Sequence, residues 1–81
     1  MNTKYIYYNL EEIQEELEII MKGLKSNPNY SHDEFYKSMQ HLFHHANIAW
    51  NARNTTPEEV DNSEDADIVK WSQFPTDIKL I

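Results

Sequence analysis

The sequence predicts an all-α protein whose frame is an antiparallel hairpin of two main helices. Three observations carry this expectation. Apolar residues recur at alternating spacings of four and three over Ile6, Leu10, Ile13, Leu17, Ile20 and Leu24, which lines them up on one stripe of a helix. The same alternation returns over Phe35, Met39, Leu42, Ala46 and Ala49 and closes on Arg53. Between the two stripes, Lys25-Ser26-Asn27-Pro28-Asn29 stops helix formation, and a connection this short links antiparallel neighbours.

The first helix is expected over about residues 9–25. Asn9 followed by Glu12 has the form of a capping box, in which Asn accepts from an early backbone N–H and Glu bonds back to the cap. Glu11, Glu12, Glu15, Glu16 and Glu18 precede Lys22 and Lys25, an order that suits the helix dipole, and Glu18 and Lys22 are a favourable four-residue pair. Tyr5-Ile6-Tyr7-Tyr8 favours a strand by propensity, although Ile6 keeps the helical phase.

The second helix is expected over about residues 31–54. Ser31-His32-Asp33-Glu34 is a capping box of the Ser-x-x-Glu type, and neither glycine nor proline interrupts the pattern before Pro57. Tyr36, Phe43 and Trp50 widen its stripe on one side. Leu17 and Leu42, mid-stripe on the two helices, are expected in the core, with Ala46 and Ala49 allowing close backbone approach.

The last third differs in character. Residues 55–67 read as an acidic loop with six acids, no base and only Val60 and Ala66 as apolar members. Thr56-Pro57-Glu58-Glu59 can open a short helical turn, with proline at its first position. Residues 68–81 hold Ile68, Val69, Trp71, Phe74, Ile78, Leu80 and Ile81, too apolar for a solvated tail. This segment is expected to fold back over the hairpin. It would start as a short helix ended by Pro75 and continue extended from Asp77. The whole chain reads as one small helical domain.

Composition narrows the function. Asp and Glu number 14 against 7 Lys and Arg, for a net charge of −7. Such a field repels phosphate backbones and anionic lipid, so neither direct nucleic-acid binding nor a membrane role is expected. There is no cysteine, which removes disulfides and thiolate metal sites and suits a reducing compartment. No basic stretch leads into an apolar run near Met1, and the expected location is cytoplasmic. With a single glycine, no Gly-rich phosphate loop is available. No nucleophile elbow is present either. The chain is therefore not expected to be an enzyme, and no cofactor is expected.

Two side-chain groups stand out on the second helix. His41 and His45 are four residues apart and project the same way, with Glu34 two turns earlier on the same side. Paired histidines at this spacing bind zinc, copper or nickel. Yet His41-Leu42-Phe43-His44-His45 lacks the acid of the His-Glu-x-x-His motif, and a third firm ligand is missing locally, so no metal site is expected. Ser38, His41, His45, Ile48 and Ala52 form a small, polar stripe, read as the seam for a second copy of the chain. Asn47 and Asn51, beside Trp50, form an outward face suited to docking another protein.

The functional expectation is thus a non-enzymatic, acidic helical protein that acts through protein–protein contacts as a homodimer. The alternatives are a metal- or pH-sensing helical protein using His41 and His45, and an acidic mimic that blocks a nucleic-acid-binding protein.

Overall fold

Asn2, well ahead of Asn9, caps the first helix: its side-chain oxygen accepts from the Tyr5 backbone N–H at 3.2 Å. The structure, a computed structural model, describes residues 1–81. It has four helices, α1 (Thr3–Ser26), α2 (His32–Asn51), α3 (Pro57–Asp61) and α4 (Asp65–Trp71), and no strand. The strand preference of Tyr5-Ile6-Tyr7-Tyr8 is overridden by tertiary ties. The Asn2 backbone N–H donates to the Arg53 carbonyl at 2.6 Å, anchoring the start of α1 to the end of α2. Tyr5 stacks on Tyr8 and meets Trp71 edge-on, at ring-centroid distances of 6.2 and 6.3 Å. Asn9 is not a cap. It lies inside α1, is 1% exposed, and its Nδ2 donates back to the Tyr5 carbonyl at 2.9 Å.

The connection forms where proline and asparagine demand it. The Asn27 side chain accepts from the Asn29 N–H at 2.9 Å, a local turn that holds Pro28 outside the helix. Tyr30 then lies across α1 where Gly23 leaves space; a Cβ on Gly23 would meet its ring at 2.5 Å. Ser31 caps α2 as its motif predicts, accepting from the Glu34 N–H at 3.1 Å. The helix ends at Asn51 rather than Asn54, because Thr55 turns back and donates its hydroxyl to the Ala52 carbonyl at 2.6 Å.

The stretch expected as an acidic loop holds structure. Thr56 and Glu59 complete a reciprocal capping box, each bond 3.1 Å, with Pro57 in the first turn of α3. Asp67 likewise accepts from the Glu64 N–H at 3.0 Å at the start of α4. α4 stops at Trp71, before Phe74, and residues 78–81 have no regular structure.

The two long helices pair as a hairpin, but in a different rotational phase from the one their apolar stripes predict. The contact line on α1 runs through Tyr5, Asn9, Ile13, Glu16 and Ile20. The line on α2 runs through Ser38, His45, Ile48 and Ala52. The stripe expected to await a second copy is therefore the internal seam. Of the seven buried residues only Ile20, Ile48 and Ala52 are apolar; Asn9, Ser38, His45 and Asn47 are polar.

At ~100° per residue, the apolar stripe sits about 60° from the contact line on α1, with which it shares Ile13 and Ile20, and about 95° from it on α2, rotated in the same sense on both helices. Because the helices are antiparallel, rotations of the same sense bring both stripes to the same side of the hairpin. Leu10, Leu17 and Leu24 are 49%, 43% and 65% exposed there, beside exposed Phe35 and half-buried Met39 and Leu42. The C-terminal segment docks on Asn47, Trp50 and Asn51 of α2, with Trp71 reaching Tyr5 of α1, and leaves the leucines of α1 uncovered. No helix is long and apolar enough to cross a membrane.

Candidate functional site

A polar cluster bridges the hairpin near its middle. α2 presents His41 and His45 from consecutive turns, and α1 presents Asn9, Glu12 and Glu16 opposite them. Since Asn9 spends its amide N–H on the Tyr5 carbonyl, its Oδ1 is the acceptor for the His45 Nδ1–H at 2.8 Å. The His41 Nδ1–H donates to the Glu16 carboxylate, also at 2.8 Å. Both rings thereby turn their Nε2 atoms towards each other, 3.1 Å apart. The Glu12 carboxylate completes the group: one ligand atom from each of Glu12, His41 and His45 lies within 4.8 Å of the others.

Electrostatics follow from this placement. Burial pushes His45 below the ordinary histidine value, aided by His41 and His44 and opposed by Glu12 and Glu16. The hydrogen bond from His41 holds Glu16 below the usual carboxylate range. Burial opposes that shift, and the Ser38 hydroxyl and the two imidazoles reinforce it. The edge of Tyr8 covers His45 at a centroid distance of 6.3 Å. The cluster thus has a buried end at His45 and an open end at His41, which is exposed.

Glu34 does not belong to it. Its carboxylate stays at the start of α2, where it accepts from the Ser31 hydroxyl at 3.4 Å. The acids that meet the histidines are Glu12 and Glu16, both from the other helix. Sequence periodicity along α2 cannot reveal a partner across the hairpin, and Asn9, Glu12 and Glu16 were missed. The available signal was a pair of acids four apart, Glu12 and Glu16, matching a pair of histidines four apart.

The expected docking face is also occupied from within. The Asn47 amide donates to the Ser72 carbonyl at 2.9 Å, and the Asn51 amide donates to the Trp71 and Gln73 carbonyls at 2.8 and 2.7 Å. The Trp50 indole N–H donates to Asp77 at 2.8 Å, and Arg53 stacks over the Trp50 ring at 3.8 Å from its centroid. Asn47, Trp50 and Asn51 therefore tie the C-terminal segment to α2 instead of facing a partner. Ser38 and Ile48 are buried against α1, so neither is part of an outer seam. The fold-back itself is as expected, with half-buried Trp71 carrying it, while Phe74 stays largely exposed against Phe43 at a centroid distance of 5.4 Å.

No family model matches the chain, and neither a curated protein nor a solved structure matches it.

Proposed function

We propose that the protein is a non-catalytic interaction module: a small acidic helical protein that acts through protein–protein contacts and pairs with a second copy of itself. The surface used is the uncovered apolar side of the hairpin. The observation that carries this reading is the exposure of Leu10, Leu17 and Leu24, placed every seven residues along α1 and interleaved with Ile6, Ile13 and Ile20. That alternation is the seam of a coiled coil or bundle, and the hairpin's internal contact uses only its edge.

Surface area supports a second copy as the occupant. A folded chain of this mass ordinarily exposes about 5,100 Å², whereas this one exposes 6522 Å². The excess of about 1,400 Å² is larger than the ~800 Å² that each partner gives to a standard stable interface. The shape agrees, with a radius of gyration of 14.5 Å against about 12 Å for a compact chain of this length. Two hairpins joined by their apolar sides make a four-helix bundle whose two-fold axis sets the same patch against itself. Glu11, Glu15 and Glu18 fall outside the stripe, so pairing buries no like charges.

The role is read as non-catalytic because the side chains that carry chemistry are tied into the seam between α1 and α2, where no cleft encloses a substrate. The setting we propose is the cytoplasm, since a cysteine-free fold needs no oxidising compartment. Light scattering on the full chain and on Leu17→Lys tests the reading. The wild type is expected at about twice the 9.7 kDa of one chain, and the variant at one chain with unchanged helical circular dichroism. A wild type that scatters as a single chain, or a variant that still pairs, contradicts it.

A further inference from the structure

We propose that Glu12, His41 and His45 form a binding site for a divalent transition-metal ion of the zinc class, which clamps α1 to α2. This inference does not depend on dimer formation.

The two imidazoles carry the case. Asn9 and Glu16 fix both Nδ1 atoms as donors, so in the neutral form each ring has its Nε2 lone pair free for a ligand. The two Nε2 atoms lie 3.1 Å apart, a contact that repels between two neutral rings of this tautomer and is relieved by a cation they share, a metal ion or a proton. Two histidine nitrogens bound to one tetrahedral zinc ion at their usual bond lengths are about 3.3 Å apart. The two ring nitrogens thus already have the spacing of a shared metal.

The surrounding hydrogen bonds point the same way. A metal-ligating histidine almost always gives its other ring N–H to a carboxylate or carbonyl, which fixes its tautomer and orientation. Here Glu16 does this for His41 and the amide oxygen of Asn9 does it for His45, and Asn9 is itself held by the Tyr5 carbonyl. Glu12, in contrast to Glu16, makes no side-chain hydrogen bond or ion pair within the chain. It is half-buried, with a carboxylate oxygen within 4.8 Å of a ring nitrogen of each histidine, the position of a third ligand. Two histidines and one carboxylate, with a fourth position open to water on the exposed His41 side, are an ordinary donor set for zinc. Because Glu12 comes from α1 and both histidines from α2, the ion would cross-link the hairpin midway along its length.

The test is metal titration of the chelator-treated full chain, read by calorimetry with zinc and by visible absorption with cobalt(II). Expected are one ion per chain, the absorption of four-coordinate cobalt, and a rise in melting temperature with zinc. Glu12→Gln and His41→Gln are each expected to abolish the cobalt spectrum. His41 is exposed and Glu12 is half-buried with no side-chain hydrogen bond to lose, and unchanged helical circular dichroism checks that each variant folds. Glu16→Gln should weaken zinc by about 10–100-fold through loss of the supporting hydrogen bond. His32→Ala, His44→Ala and Glu34→Gln should leave affinity unchanged. Absence of binding, half an ion per chain, or equal losses in the His44 and His41 variants overturns the proposal.

Discussion

Asn9 illustrates what single residues do in this molecule. Its side chain satisfies a carbonyl of its own helix and a buried imidazole of the other, so it specifies how the two helices are rotated against each other. From sequence it reads as a cap, because asparagine before a run of acids usually is one. Nothing local distinguishes a capping asparagine from one that bonds across a hairpin. His45, its partner, makes stability depend on pH. The folded value of His45 is depressed, so the native state binds fewer protons than the unfolded state and loses stability as pH falls below the ordinary value of 6.5. His41 and His44 on α2 strengthen that effect, and Glu12 and Glu16 on α1 oppose it. Glu16, depressed as well, adds a further loss below its ordinary value of 4.5. Urea unfolding at a series of pH values should therefore show stability declining from neutral pH downwards, with the upper part of the decline absent in His45→Gln. Stability that rises between neutral pH and mild acid would contradict the assignment.

At the scale of elements, the helices, their connection and two of their caps were legible because their causes are local. Ser31 and Thr56-Pro57 act where their motifs place them, and Pro28 stops α1. Rotational phase was not legible, because it depends on pairing across the hairpin. A periodic apolar stripe marks a face that wants burial without naming what buries it, and here a polar, small-residue line took the internal contact. Leu17, expected in the core, is accordingly 43% exposed. Two substitutions probe the packing that did form. Gly23→Ala gains roughly 1 kcal/mol in helix propensity, yet it drives a methyl group into the Tyr30 ring. It should lower the midpoint of chemical unfolding, and a more stable variant would show that Tyr30 does not rest there. Asn51→Ala removes both amide hydrogen bonds to the C-terminal segment. It is expected to cost about 1–3 kcal/mol and to speed proteolysis after Trp71. Unchanged cleavage would mean the segment is held by other contacts.

For the whole molecule, the decisive fact is the imbalance between a thin polar seam and a broad apolar side. Three buried apolar residues are a small core for 81 residues without disulfides, and chains of this size commonly gain stability by association. The C-terminal segment leaves the leucines of α1 open because Asn47, Trp50 and Asn51 hold it on α2 and Trp71 rests on Tyr5. The stripe that the sequence suggests as the seam for a second copy is buried inside the hairpin instead, since small and polar residues suit a close helix contact wherever it falls. Pairing through Leu10, Leu17 and Leu24 is the central claim, and sedimentation equilibrium over a dilution series tests it most directly. A weight-average mass falling from about twice 9.7 kDa towards one chain on dilution is the predicted result; a mass of one chain at every concentration, with the leucine stripe still open to water, would contradict it.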